Sequence, residues 1–430
     1  FLRCCYFHNT FYNTTSGPPF HVEHIDLRLC THFIYAYARI DSAANTIKAA
    51  NPRLEEGPLG MYRKFTDIKN SDPSVKAMLS LGGPRERSEA FDSITATEQT
   101  IKSFALKAVH FLRDRDFDGL DIDWMYPDNA SRKERLNKLL KALRIAFNHD
   151  NQAFVLLLTL AGPGLRTQVD AGFDVPEIAI YVDFVLVKAY KLVMPNRRYA
   201  TFSSALFNNP NSALDPTLNV NYSVHYWNDL GLPYRKLVVG LTGEGRYLKL
   251  TNWAEITPGS PVKQEIERGA YYNVTSGMLY PQICAEVKKN PKNRHFDQAQ
   301  MNPYFVHEDA WVGYEDKESL GTKLQWMINL SVAGFMFAGL QEDDFTGQLC
   351  GDGKYPLLTS IYHRIMRLLS ETSDTSESPT LATEPYRPSK GEESGTVLAY
   401  LAFVFVLAGT VTGYGLYVFL SKHPLMSFSE

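Results

Sequence analysis

Eight short apolar runs recur along the first 370 residues, and stretches with helical periodicity separate several of them. The runs cover residues 3–7, 30–38, 75–81, 119–124, 154–161, 182–189, 237–241 and 334–340. Most are rich in β-branched or aromatic residues and are bounded by Gly, Pro or charged residues, as buried strands are. Helix-like stretches include residues 101–113, 131–147 and 319–330. Strands that alternate with helices in this way predict an α/β fold, a (β/α)8 TIM barrel over residues 1–370.

One stretch interrupts this alternation. Residues 246–311 lie between the seventh and eighth runs and are too long for a plain barrel loop. We therefore expect a small inserted subdomain there.

The pattern changes twice after residue 370. Residues 371–395 are dominated by Ser, Thr, Glu and Pro, which predicts a disordered stalk. Residues 396–420 contain no charged side chain, and as a helix they would be about 37 Å long, enough to cross a membrane. We expect one transmembrane helix at 396–420 and a short cytoplasmic tail at 421–430; a buried core helix is the alternative. Gly409 and Gly413 form a small-x-x-x-small pair through which two such helices could form a homodimer.

Charge, cysteine content and glycosylation sequons indicate which partners and which cellular compartment to expect. The formal net charge of −3 leaves no basic excess for phosphates, so no nucleic-acid partner is expected. The five cysteines contain no C-x-x-C pair and fit two disulfides with one thiol left over. N-glycosylation sequons occur at Asn13, Asn129, Asn221, Asn273 and Asn329. Together these features predict a cell-surface or secretory-pathway membrane protein whose barrel is extracellular or luminal.

The densest polar feature is the run of residues 117–127, Phe-Asp-Gly-Leu-Asp-Ile-Asp-Trp-Met-Tyr-Pro. Residues two apart on a strand point the same way, so Asp121 and Asp123 should both face the barrel interior. Burying two carboxylates costs free energy unless they share protons or accept hydrogen bonds. An acidic turn or a metal site is the alternative, but no His or further carboxylate lies nearby in sequence, and neither metal nor cofactor is expected.

This run resembles the signature of glycoside hydrolase family 18, the chitinases and chitinase-like lectins, which reads D-G-x-D-x-D-W-E-Y-P. Met125 stands where that signature has its acid Glu. The further matches are Cys5-Tyr6-Phe7, Cys30-Thr31-His32, Ser80-Leu81-Gly82-Gly83, Gly245-Arg246, Trp311-Val312-Gly313-Tyr314 and Asp343-Asp344-Phe345. The resemblance implies that residues 246–311 form an α+β insertion beside the sugar cleft. It also implies disulfides Cys5–Cys30 and Cys284–Cys350, with Cys4 left over as a free thiol or as an alternative partner for Cys30.

In this family the Glu protonates the glycosidic oxygen, and the Asp two residues before it supports the N-acetyl group of the substrate. That Asp corresponds to Asp123, and Asp118 and Asp121 complete a vestigial carboxylate row. The Met125 thioether has no proton to donate, so the resemblance implies a protein without glycosidase activity. Four further positions depart from the family pattern. Pro84 stands where the family has an aromatic residue, Lys191 where it has Asp, Glu244 where it has Tyr and Ala338 where it has Trp. The candidate ligand-binding residues are Tyr6, Tyr37, Asp123, Tyr126, Tyr190 and Arg246.

Three hypotheses for function follow. The first is a catalytically inactive, membrane-anchored protein that binds chitin-like glycans containing N-acetylglucosamine. The second is a cell-surface scaffold or receptor with a protein partner, and the third is a residual chitinase. An exposed aromatic cleft would favour glycan binding, whereas a closed cleft with Lys191 paired to Asp123 or Glu244 would favour the scaffold.

Overall fold

The computed structural model describes residues 1–14, 17–150, 152–193, 198–210, 215–263 and 277–374. The predicted transmembrane helix, the tail, the Gly409/Gly413 pair and Asn273 lie outside these residues. Within them, no helix is both long enough and apolar enough to cross a membrane. Residues Phe1–Thr372 form one compact unit.

Eight parallel strands close into a barrel, as the apolar runs predict. These are β1 (Leu2–His8), β2 (His32–Asp41), β4 (Lys76–Gly82), β5 (Gly119–Asp123), β6 (Leu157–Pro163), β7 (Phe184–Lys188), β8 (Leu237–Leu241) and β14 (Gly334–Phe337). The spatial order is β1-β14-β8-β7-β6-β5-β4-β2, and β1 also pairs with β2, which closes the ring. The short β3 (Thr46–Lys48) extends β2 as an antiparallel hairpin. The (β/α)8 prediction is confirmed.

Helices surround the strands. They are α1 (Pro52–Glu55), α2 (Met61–Thr66), α3 (Ile68–Ser71), α4 (Ser88–Ile94), α5 (Glu98–Arg113), α6 (Ala130–His149), α7 (Arg166–Gly172), α8 (Val175–Tyr181), α9 (Val220–Asp229), α10 (Tyr280–Lys289), α11 (Lys317–Asn329) and α12 (Pro356–Asp374). Local chemistry starts the long ones: Thr97 caps α5 and Asn129 caps α6, each accepting a backbone N–H from the first turn. Helix α12 runs to Asp374, four residues into the segment 371–395 that the sequence predicts as a stalk.

A second sheet is inserted between β8 and α11. Its antiparallel strands are β9 (Glu244–Lys249), β10 (Gly277–Leu279), β11 (Arg294–Asp297), β12 (Asn302–His307) and β13 (Ala310–Gly313). Their order is β10-β9-β13-β12-β11, and α10 follows β10. The sheet thus begins and ends two residues outside the predicted 246–311 segment.

Two apolar layers hold the barrel together. One fills its interior and includes Tyr6, Ile34, Met78 and Met336, and the other lies between the strands and the helices. Strands buried on both faces explain why the runs are continuously apolar rather than alternating. Both predicted disulfides, Cys5–Cys30 and Cys284–Cys350, are formed, and the buried Cys4 carries the free thiol.

Candidate functional site

Asp121 lies in the barrel interior, fully buried. Its Oδ2 accepts hydrogen bonds from the Tyr6 and Ser80 hydroxyls, each at 2.7 Å, and its Oδ1 accepts one from Thr159 at 2.9 Å. Burial, and then the charge of Asp123, raise the pKa of Asp121 to about 6. Ser80 and Thr159 come from β4 and β6, which flank β5, and Tyr6 comes from β1, which is not adjacent to β5, so the barrel closure itself assembles this cluster.

Asp123, two residues further along β5, forms a buried ion pair with Lys188. The Lys188 Nζ lies 2.7 Å from both Asp123 carboxylate oxygens, and Asp123 has no exposed surface. Burial alone would lower the pKa of Lys188, but the Asp123 charge, with Tyr126 and Asp121, raises it overall. The side chain is therefore an ammonium that occupies both oxygens of Asp123.

Lys188 does not stand out in the sequence as a site residue. The one signal was a lysine that ends the otherwise apolar strand Phe184–Lys188. A strand end is usually solvated, and only closure of the barrel places this end against β5 and buries the charge.

Gly82 and Gly83 pack directly against this site. Both have positive φ, 112° and 75°. A Cβ at Gly82 would lie 2.3 Å from the Asp123 carbonyl oxygen, and one at Gly83 would lie 2.6 Å from the Tyr37 ring. The glycine pair is thus required by backbone conformation and by close approach, which also lets the Gly83 N–H donate to the Asp123 carbonyl at 2.8 Å.

Met125 is half-buried and follows Trp124, whose ring stacks on Phe91 with centroids 4.7 Å apart. The Trp124 Nε1–H donates to the Ser88 hydroxyl at 2.9 Å, which holds the end of β5 against α4. The Met125 thioether offers no proton at this position.

Four tyrosines surround the two aspartates: Tyr6, Tyr37, Tyr126 and Tyr190. The Tyr6 and Tyr37 rings are 6.4 Å apart, and the Lys188 Nζ lies 5.9 Å from the Tyr126 ring centre. Burial is the main cause that raises the pKa of each tyrosine, well above its usual value for Tyr6, Tyr37 and Tyr190. All four stay protonated near neutral pH and are poorly matched to general-acid work.

Lys191 and Glu244 form a second ion pair at 3.0 Å. Near it, Glu342 accepts hydrogen bonds from the Thr242 hydroxyl and the Gly243 N–H, both at 2.8 Å. Burial, and then the charge of Glu244, raise the pKa of Glu342 to about 7.

A cleft of about 760 Å³ opens at the carboxyl ends of the strands. Its rings are His8, Phe11 and Tyr37, and its charged residues are Arg39, Arg53, Arg85, Lys191, Glu244 and Glu342. Its amide side chains are Asn9, Asn13, Asn51 and Gln341. A cleft of this size at this face of a barrel is the expected place for a ligand.

Two lining residues that sequence analysis missed shape the cleft wall. The His8 Nε2 lies 2.7 Å from the Ala338 carbonyl and donates to it, and burial lowers the pKa of His8 to about 4, so the ring is neutral. The Gln341 Oε1 is buried and accepts no hydrogen bond from any residue that the structure describes. Neither residue stands out in sequence, because only the fold brings them to the cleft.

The predicted site residues do not form a single cluster. Tyr37 lines the cleft, Asp123 forms the ion pair with Lys188, and Tyr6, Tyr126 and Tyr190 lie around the two aspartates. Arg246 lies on β9, where it donates to the Thr201 carbonyl at 3.1 Å, and it is not among the residues lining the cleft. Asp118 does not join Asp121 and Asp123: it precedes β5, lies 3.4 Å from Lys69 and accepts the Ala77 N–H.

The candidate glycosylation sites differ in exposure. Asn13, Asn129 and Asn329 are exposed, and Asn221 is half-buried near the start of α9.

Comparison with known proteins agrees with this geometry. Residues 3–343 match the family described as Glycosyl hydrolases family 18. An endochitinase of Manduca sexta is 32% identical over 413 residues, which cover 91% of this chain and 73% of the relative. The human chitinase-3-like protein 2 is 30% identical, with 83% of this chain and 90% of the relative covered.

A solved structure of human YKL-39, described as a pseudo-chitinase with retained chitooligosaccharide binding properties, superposes with a TM-score of 0.77 at 29% identity. The match covers 85% of this chain and 99% of that one. By its profile, its relatives and its barrel, the chain belongs to glycosyl hydrolases family 18.

Proposed function

We propose that this protein is a non-catalytic, membrane-anchored member of the family that binds glycans containing N-acetylglucosamine. One observation carries the proposal: an open cleft persists, lined by Tyr37 and by Gly82, which packs against Asp123, while Lys188 occupies both oxygens of the Asp123 carboxylate. A site of this kind can hold a sugar but lacks the groups that would cleave it.

The loss of catalysis rests on two side chains. Met125 corresponds to the family's acid Glu, and its thioether cannot protonate a glycosidic oxygen. Asp123 corresponds to the residue that supports the N-acetyl group, yet its carboxylate is neutralised by Lys188. A cation beside the reacting centre would also oppose the positive charge that develops there in the transition state.

Retained binding rests on the cleft wall. His8, Phe11 and Tyr37 offer apolar ring surface for a sugar, in a site where Ala338 takes the position of the family's Trp. Gln341 lies in the same wall, and its side-chain amide offers hydrogen-bonding groups for a sugar hydroxyl or an acetamido group. Human YKL-39, described as a pseudo-chitinase that retains chitooligosaccharide binding, is a relative in which the two properties are separated.

Membrane attachment is the sequence-based part of the proposal. The uncharged residues 396–420 would form the anchor, residues 375–395 the linking stalk, and residues 421–430 a cytoplasmic tail. The two disulfides and the exposed sequons support a barrel that faces the cell exterior or a secretory lumen.

A scaffold or receptor with a protein partner is the second candidate. The observation that favours it is the Lys191–Glu244 ion pair, which uses up two charges at the positions where the family has Asp and Tyr. The open cleft opposes it, because a purely structural barrel has no need to keep a cavity of about 760 Å³.

Calorimetric titration of the full chain, in detergent, with chitohexaose tests the proposal. We expect micromolar binding, no hydrolysis of the hexasaccharide, and a loss of affinity of about tenfold in Phe11→Ala, because that ring lines the cleft. Phe154→Ala is the matched control, since Phe154 is 76% exposed just before β6, at the amino-terminal end of the barrel strands. No heat at millimolar sugar would contradict glycan binding and favour the scaffold, and hydrolysis would contradict the loss of catalysis.

A further inference from the structure

The cleft is lined by more cationic than anionic side chains. Arg39, Arg53, Arg85 and Lys191 line it, against two carboxylates, Glu244 and Glu342. A charge that already forms an ion pair within the protein is less available to a ligand than one that does not.

Two of the four cations are already paired within the protein. The Arg39 Nε lies 3.0 Å from Glu86, and the Lys191 Nζ lies 3.0 Å from Glu244. Glu342 is nearly buried and accepts two hydrogen bonds, and its pKa of about 7 leaves it only partly ionised at neutral pH.

Arg53 and Arg85 remain. Arg53 follows the start of α1 and Arg85 lies in the loop between β4 and α4, and both side chains are exposed. Neither forms an ion pair with a carboxylate among the residues that the structure describes. They therefore place two uncompensated guanidinium groups at the cleft, one from helix α1 and one from the loop between β4 and α4.

The apolar contact surface is at the same time reduced. The family's floor Trp is replaced by Ala338, and the neutral His8 ring is held against the Ala338 carbonyl. The cleft thus offers less ring surface on which a sugar can stack, but it offers charged side chains that can bind an acidic sugar.

Building on the proposed function, we propose that the ligand of this cleft is an acidic oligosaccharide, with carboxylate or sulfate groups on a chain that contains N-acetylhexosamine. Arg53 and Arg85 bind the acidic groups, since a guanidinium matches a carboxylate or sulfate with two parallel N–H donors. Gln341 also lines the cleft, and its side-chain amide can hydrogen-bond a sugar hydroxyl or acetamido group.

The test compares hexasaccharides of equal length on the full chain in detergent. Hyaluronan hexasaccharide carries carboxylates, chondroitin 6-sulfate hexasaccharide adds sulfate, and chitohexaose is neutral. We expect the acidic sugars to bind at least about tenfold more tightly than chitohexaose, and their affinity to fall as salt is raised from 50 to 300 mM. The two acidic sugars distinguish carboxylate from sulfate recognition.

The variant Arg53→Ser/Arg85→Ser should weaken binding of the acidic sugars at least tenfold and leave chitohexaose binding within about twofold. Arg87→Ser is the matched control: it lies in the same loop as Arg85, but its guanidinium pairs with Glu89 at 3.3 Å and does not line the cleft.

The outcomes separate this inference from the proposed function. Binding of chitohexaose as tight as that of the acidic sugars would overturn the inference and leave the proposed function standing. Acidic-sugar binding that survives in the double variant would also overturn it, because the charge contacts would lie elsewhere. Binding of a hexaglutamate peptide without any sugar binding would overturn both.

Discussion

At the scale of single residues, the chemistry of this barrel depends on what surrounds Asp123. A carboxylate on this strand is available to a ligand only if nothing else neutralises it, and here Lys188 contacts both of its oxygens. The neighbouring Asp121 accepts three hydroxyl hydrogen bonds and is equally occupied. Two aspartates that look like catalytic candidates in sequence are thus internally satisfied.

Met125→Glu alone is predicted to give little or no chitinase activity. The new carboxyl would supply a proton, a gain typically of about 10²–10⁴ in rate, but Asp123 would still be paired with Lys188. The measurement is hydrolysis of chitohexaose, with an active endochitinase as the positive control. Turnover within tenfold of that control would contradict the prediction, because it would mean that the pairing of Asp123 with Lys188 does not prevent hydrolysis.

Met125→Glu/Lys188→Met is the informative companion. If the ion pair with Lys188 keeps Asp123 from acting on the substrate, the double variant should hydrolyse chitohexaose about tenfold or more faster than Met125→Glu. The reason is that both carboxyl groups then become available. Equal rates would place the obstacle elsewhere, for example at Ala338.

Lys188→Met should destabilise the barrel by roughly 3–5 kcal/mol, since it leaves the buried Asp123 carboxylate without its partner. Denaturant unfolding measures the change, and Lys188→Met/Asp123→Asn should recover part of it in a double-mutant cycle. Lys138→Met, on the exposed face of α6, is the control and should behave as the parent protein does. A small effect of Lys188→Met would mean that water reaches Asp123.

At the scale of elements, the turn between β8 and β9 is tied to the segment after β14 through Glu342. The side chain of Glu342 accepts both the Thr242 hydroxyl and the Gly243 N–H, so one carboxyl group joins two loops at the barrel mouth. This junction lies at the cleft, where it positions Glu244 and Gln341.

Glu342 should make folding less favourable as the pH rises from about 4.5 to 7. Its pKa of about 7 in the folded chain lies above its ordinary value of 4.5, so in this range the unfolded chain loses the proton while the folded chain keeps it. Below both pKa values the group contributes nothing, and above about 7 the loss is complete, at about 3 kcal/mol.

Glu342→Gln should therefore flatten the decline in the free energy of unfolding between pH 5 and pH 7, measured by denaturant titration. Glu308→Gln is the control, because Glu308 is exposed on the turn between β12 and β13. An unchanged slope in Glu342→Gln would show that another group, such as Asp121, causes the decline.

Element positions were predictable to different degrees. The eight barrel strands follow from apolar runs, because a strand buried on both faces has little freedom in composition. The end of α12 could not be predicted in this way. Ser, Thr and Glu after residue 370 suggest disorder, although the helix continues to Asp374. The bounds of the inserted sheet were less distinct, because short antiparallel strands with one solvated face carry weaker patterns.

At the scale of the whole molecule, the hypothesis of a displayed barrel depends on residues 396–420. The full chain should sediment with membranes and be released by detergent but not by high salt or alkaline carbonate, as expected for a spanning helix. A chain that ends at residue 395 should remain in the aqueous fraction. Release of the full chain by salt alone would contradict the anchor.

The sequence by itself determined the fold and the family, because these depend on long apolar patterns and on motifs spread over more than 300 residues, and the family resemblance implied both disulfides. It also identified Met125, Lys191, Glu244 and Ala338 as departures, since each stands in a recognisable motif. The tertiary structure alone decided which charges meet. Lys188 forms an ion pair with Asp123, 65 residues away along the chain, and Lys191 forms one with Glu244. Arg53 and Arg85 form no ion pair with a carboxylate among the described residues. The physical reason is that electrostatic interaction depends on distance and burial in space, and spacing along the chain specifies neither.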